Sequence, residues 1–217
     1  MAFGKRLLSS MFFGAATAWR ENIAALGDID SRFGDGDHGI TIGKISSLMI
    51  ERIGCWQGES IREFIEGVAS GILGLSAGSA GPLYGTFFEG LASPLGDEDD
   101  IGGATLKAML AGSRDALFEI TKARTGDKTM MDALIPAAEA ALGAGDDIGQ
   151  ILASAAKAAS GGAKNTEGMV SKFGRARSYG QKTLGTQDAG AVSMSLFFEG
   201  LEKGAKEALN GQKAQKG

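Results

Sequence analysis

Between Asp28 and Gly39 the chain reads DIDSRFGDGDHG, which gathers four aspartates, three glycines and the sole histidine of 217 residues. Two unit charges 4 Å apart repel by about 4 kcal/mol at an effective dielectric of 20. Convergence of Asp30, Asp35 and Asp37 therefore calls for a cation. A set of oxygen ligands selects a hard ion, Mg2+ or Ca2+. Gly34, Gly36 and Gly39 permit positive φ and leave room for a bulky anion. The free N–H groups of a helix opening near Gly39 suit a phosphate. Carboxylates, cation and helix start together point to a metal and nucleotide-phosphate site, with His38 in contact with it.

Three familiar templates fail on the same residues. Gly34-x-Gly36-x-x-Gly39 has the spacing of a dinucleotide fingerprint, yet no strand precedes it and Asp35 and Asp37 would repel a pyrophosphate. A Walker A loop ending at Gly43-Lys44 is one residue short, and Ile45 stands where Ser or Thr belongs. An EF-hand loop starting at Asp35 lacks an acidic or amide ligand at its fifth position and Glu at its twelfth.

Three other segments have chemistry to offer. SAGSAGPLYG, 76–85, is a small-residue loop opening a helix, with Pro82 suited to the first turn and Ser and N–H groups suited to an anion. GDKTM, 126–130, opens another helix with Asp127 and Thr129 as competing caps. GRARSYGQKTLGTQDAGA, 174–191, is long for a connection between helices, and long loops in compact domains are often functional lids. Its Arg175 and Arg177 are the best-placed cations for a phosphate.

The elements that must position these segments are helices. Apolar residues recur at three- and four-residue spacing and strand-like alternation is rare. Eight helices are expected near 5–26, 40–56, 59–75, 80–93, 103–124, 129–143, 147–172 and 187–209, within one all-α domain covering 1–217. Asp146 or Asp147 is expected to cap the seventh. The acidic stretch SPLGDEDDIGG, 93–103, reads as a linker, and the tail 211–217 as a frayed end. Glycine supplies 35 residues, about twice the usual share, and only three prolines accompany it. Glycines inside helices, as at 67, 71, 74, 78, 81, 85 and 90, imply close approach of backbones.

A net charge of -4 and no basic run longer than two residues argue against a nucleic-acid partner. One cysteine and one histidine exclude an internal disulfide and Cys/His zinc sites. The opening 26 residues read as an amphipathic helix, because Arg20-Glu21-Asn22 interrupts the apolar run. No stretch of about 20 apolar residues is present, so a cytoplasmic protein with no membrane partner is the expectation.

Taken in order, GDGDHG (34–39), GSAGPLYGTFF (78–88), GDKTM (126–130) and the 174–191 stretch resemble the L subunit of dihydroxyacetone kinase. The resemblance implies an up-and-down eight-helix barrel with a nucleotide, ATP or ADP, at one end. It implies Asp30, Asp35 and Asp37 as ligands of two Mg2+ ions bridging the phosphates. His38, Gly39 and Thr41 would line the phosphates, with Ser79, Ala80 and Gly81 adding contacts. Met130 would border the adenine, while Arg175, Asp188, Ala189 and Gly190 would close over the nucleotide. The family often has Ser where Ala80 stands, so one phosphate hydroxyl is missing or supplied by Ser79. Thr41 resembles the fused ATP-using kinases, whereas His38 resembles the phosphotransferase-linked subunits. The phosphoryl source is thus open between ATP and a phosphohistidine protein that recharges bound ADP. The short-chain ketose, dihydroxyacetone or an erythrulose-like sugar, would sit on a separate K-type subunit. Self-association as a homodimer is a further expectation, and a nucleotide-sensing coactivator without turnover is the rival one.

Overall fold

Caps and breaks in the sequence decide where each helix begins and ends. The computed structural model describes residues 3–96 and 100–214. Its helices are α1 (Lys5–Glu21), α2 (Ile23–Asp30), α3 (His38–Cys55), α4 (Ile61–Leu73), α5 (Ala80–Ala92), α6 (Gly103–Ile120), α7 (Met131–Gly143), α8 (Ile148–Asn165) and α9 (Ala189–Ala214). Two 3-10 segments, Thr166–Gly168 and Arg175–Thr183, lie between α8 and α9. Strands β1 (Phe3–Gly4) and β2 (Asp100–Ile101), two residues each, pair antiparallel and tie the start of α1 to the approach to α6. The fold is a single-domain, all-α bundle.

Nine α-helices stand among the described residues where eight were expected. The extra one arises at Asn22, whose side-chain amide donates to the Ala18 carbonyl at 2.8 Å and closes α1. The Asn22 carbonyl then accepts from Leu26 N–H and begins α2. The expected helix over 147–172 stops at Asn165, where Thr166 Oγ1 turns back onto the Ala163 carbonyl. Asp147, and not Asp146, caps α8, accepting from Gln150 N–H at 3.0 Å. A reciprocal capping box between Ser60 and Glu63 starts α4. Asp127 accepts from Arg124 N–H, whereas Thr129 Oγ1 accepts from Met131 N–H at 3.2 Å at the start of α7. Asp132, inside its first turn, reaches back to accept from Gly126 and Thr129 N–H at 2.6 and 2.7 Å. Residues 97–99 of the acidic linker and 215–217 of the tail lie outside the described residues, and the tail is helical through Ala214.

α1 packs on α3, each helix from α2 to α8 packs on the next along the chain, α2 also touches α9, and α9 returns against α1. The core is an aromatic cluster in which Phe12, Trp19, Tyr84, Phe87, Phe88 and Phe197 meet mainly edge to face. Small residues bring the outer contacts close. A Cβ on Gly14, Gly200 or Gly204 would collide with backbone across the α1–α9 contact, and one on Gly90 or Gly112 would do so between α5 and α6. No helix among the described residues is long and apolar enough to cross a membrane.

Candidate functional site

The connections α2–α3, α4–α5, α6–α7 and α8–α9 meet around a cleft of about 490 Å³. A groove of about 610 Å³ beside α3, lined by Arg20, Ile40, Lys44 and Leu75 among others, is shallower and holds no carboxylate cluster. The chemistry converges in the first. Asp30 ends α2, and the following turn carries Asp35 and Asp37. One carboxylate oxygen from each lies within 4.8 Å of the others. Oxygen ligands at 2.0–2.6 Å from one ion stand at most about 4–5 Å apart, so the donor set fits a hard divalent cation. A Cβ on Gly34 would strike the Asp30 carboxylate, so glycine leaves that carboxylate its place. The Asp37 carboxyl is pushed above its usual range by burial first, then by repulsion from Asp35 and Asp30. Arg175 opposes that shift and pairs with Asp35 at 2.6 Å.

His38 lines the cleft, but its ring is occupied by the protein itself. Nε2 lies 2.8 Å from Ser193 Oγ, and the ring also bonds the Ala189 backbone at the start of α9. Burial holds its pKa below the usual histidine value, which favours the neutral ring. Ser193 Oγ itself donates to the Gly190 carbonyl at 3.0 Å. Tyr84 Oη lies 2.8 Å from the same Ser193 oxygen, and burial drives its phenol to resist ionisation. Trp19 Nε1 donates to the Ser193 carbonyl at 2.6 Å. Ser193 thus joins α1, α3, α5 and α9 at the floor of the site. Sequence reading passed over it, since a lone serine within a helix carries no signal of its own.

Ser79, Ala80, Met130, Arg175, Asp188, Ala189 and Gly190 also line the cleft. Gly39, Thr41 and Gly81 do not. A Cβ on Gly39 would collide with the Ile23 carbonyl, so this glycine lets α2 and α3 approach. Thr41 is buried one turn behind, its N–H bonded to the Asp37 carbonyl, and Gly81 packs on Ala77. Arg177 is exposed and stands apart. Asp188 caps α9 by accepting from Ala191 N–H at 2.8 Å, and its own N–H donates to Thr166 Oγ1 at 2.9 Å. Burial pushes its carboxyl up to about 7; Asp132 and Asp30 add to the shift while Lys128 and the Ala191 bond oppose it.

Lys128 stands at the centre of GDKTM. Its side chain is 3% exposed, and Nζ donates to the carbonyls of Thr166, Met169, Thr183 and Thr186. It lines the cleft as well.

The DAK2 domain family model matches residues 32–203. The chain is 31% identical over 190 residues to an L-erythrulose kinase of Pectobacterium atrosepticum, covering 83% of this chain and 31% of the relative. It is 29% identical over 182 residues to the ADP-binding subunit DhaL of the PEP-dependent dihydroxyacetone kinase of Escherichia coli, covering 82% of this chain and 87% of that subunit. The dihydroxyacetone kinase of C. freundii solved with AMP-PNP and Mg2+ superposes with a TM-score of 0.69 over 94% of this chain and 34% of that one, at 22% identity. That last likeness is one of fold. The chain therefore spans about a third of the erythrulose kinase and of the C. freundii kinase. The chain belongs to the DAK2 domain family.

Proposed function

We propose that this chain is the nucleotide-binding subunit of a dihydroxyacetone-type kinase, holding ATP or ADP with Mg2+ for phosphoryl transfer to a short-chain ketose on a K-type partner. The observation that carries this reading is the convergence of Asp30, Asp35 and Asp37 at one wall of the cleft. These three would hold Mg2+, which would supply the positive charge that neutralises the phosphates. The chain's own residues do the rest by position. The N-terminus of α5 would present the Ser79 hydroxyl and backbone N–H groups to the phosphates. Leu83, Met130 and Phe173 supply an apolar wall for the base. His38 fixes the carboxylate turn against α9, since its own N–H donates to Asp30 Oδ2 at 3.3 Å. Arg175 is free to exchange its Asp35 partner for a phosphate. Gly39, Thr41 and Gly81 shape the wall from behind.

The helix order, with α9 packed back on α1, supports reading 1–217 as one domain in which α1 and α3 to α9 form a closed eight-helix barrel. The extent of the match to the E. coli ADP-binding subunit supports a K-type partner on a separate chain. The test is binding and turnover by the purified chain. Titration calorimetry should show ADP binding with Mg2+ and none with chelator. Dihydroxyacetone should be phosphorylated only when a K-type subunit is added. Absence of Mg2+-dependent binding overturns the nucleotide assignment, and robust turnover by the chain alone overturns the need for a partner. ADP retained through purification and unable to exchange for ATP would identify a phosphohistidine protein as donor; free exchange would identify ATP.

A further inference from the structure

We propose that Lys128 is a positioning residue whose ammonium fills a cage of backbone carbonyls and thereby roots the segment 166–186 over the cleft. The inference rests on the nucleotide reading above. Nζ lies 2.9, 3.2, 2.6 and 2.5 Å from the carbonyl oxygens of Thr166, Met169, Thr183 and Thr186. No carboxylate among the described residues bonds it; Asp188, Glu167 and Asp132 act on it only through space. An ammonium has three N–H donors, so four carbonyls around it form the surroundings of a monovalent cation and not of an ion pair.

The carbonyls come from both roots of one loop. Thr166 and Met169 precede Arg175, while Thr183 and Thr186 follow it. Beyond its roots, that loop meets the carboxylate turn through the exposed Arg175–Asp35 pair and the Tyr179 ring, 5.2 Å from that of Phe33. Such contacts hold weakly in water. The only other tie of a root to the GDKTM turn among the described residues is through Lys172, to Asp127. The backbone is bent to serve the cage: among the described residues Lys128 alone of the non-glycines has positive φ, at 60°. The Asp132 carboxylate holds the bend from both sides, at Gly126 and Thr129.

Lys128→Gly removes the ammonium and suits the backbone, leaving carbonyls able to accept a cation of similar size. Three readings are taken at constant ionic strength in Li+ and in K+ or ammonium: thermal unfolding, tryptic cleavage at Arg175, Arg177 and Lys182, and affinity for Mg·ADP. In Li+ the variant should unfold as one transition, be cut faster than wild type, and bind at least about tenfold more weakly. K+ or ammonium should reverse both losses in the variant and leave wild type unchanged. Cleavage and affinity equal to wild type in Li+, or losses that no cation relieves, overturn the cage. If wild type itself fails to bind Mg·ADP, the nucleotide reading fails, while cleavage still tests the tether. Should Lys128→Gly not fold, Lys128→Met keeps the aliphatic stem and should show the same losses without rescue. If neither folds, Lys128 serves the whole bundle and the inference is overturned.

Discussion

Three aspartates whose oxygens lie within 4.8 Å of one another are a cost to the empty protein and an asset to the liganded one. Asp37→Asn relieves repulsion from Asp30 and Asp35, so the ligand-free variant should melt above wild type, while stabilisation by Mg·ADP should vanish. Differential scanning fluorimetry with and without Mg·ADP reads both signs, and a variant that keeps the Mg2+-dependent shift would remove Asp37 from the ligand set. Asp188 gives a separate test. Its folded pKa of about 7 lies above the unfolded value, so the native state holds the proton more tightly. Its contribution to stability is therefore fully present below about pH 4 and lost as the pH rises to about 7. Asp188→Asn keeps a capping oxygen and escapes that loss. Relative to wild type it should gain stability across that window, by up to about 4 kcal/mol at about 1.4 kcal/mol per unit. Urea unfolding at pH 4, 5.5 and 7 measures this, and a pH-independent difference would show that Asp188 is ionised throughout. At this scale the sequence was legible where charge and spacing coincide locally, as at Asp30, Asp35 and Asp37. Lys128, Ser193 and Tyr84 were illegible because their partners lie far along the chain, 38 residues from Lys128 to Thr166 and 109 from Tyr84 to Ser193.

Among the helices, glycine has two opposite meanings that composition cannot separate. Gly161 and Gly162 are neighbours within α8. A Cβ on Gly161 would meet open space, whereas one on Gly162 would drive into the Asp132 carbonyl at the start of α7. Gly161→Ala should therefore stabilise the protein by about 0.4–1 kcal/mol through helix propensity and loss of unfolded-state freedom. Gly162→Ala should destabilise it by roughly 1–3 kcal/mol through overpacking. It should also weaken Mg·ADP binding, because the displaced residue is the one that shapes the turn around Lys128. Chemical denaturation of the two variants side by side checks the signs; equal effects would mean that α7 and α8 are not in backbone contact at this point. Apolar period was enough to find the helices. Two of their ends were not, because Asn22 and Thr166 terminate helices with side-chain bonds to carbonyls within their own helix that periodicity does not register.

On the scale of the molecule, the four segments singled out in the sequence fall on every second connection of the ring, counting α1 and α2 as one limb. Helices that run alternately up and down return the chain to the same end at every second connection. Segments as distant as 30–38 and 171–190 thereby line one cleft, which the family resemblance, and not residue spacing, implies. A ligand in this cleft would meet the end of α2, the starts of α3, α5 and α9 and the connections beside them, so its binding energy acts on the whole unfolding transition and not on one loop. Saturating Mg·ADP at 100 times its dissociation constant should add about 2.7 kcal/mol to the unfolding free energy. For a chain of this size that is a rise of roughly 5–10 °C in the melting temperature, as a single transition. ADP with chelator should give no rise, since without a cation the Asp30, Asp35 and Asp37 carboxylates repel the phosphates. Calorimetry distinguishes the alternatives. A shift that survives chelation would place the nucleotide away from the carboxylates, and two separate transitions would mean that the ligand stabilises only one limb of the ring.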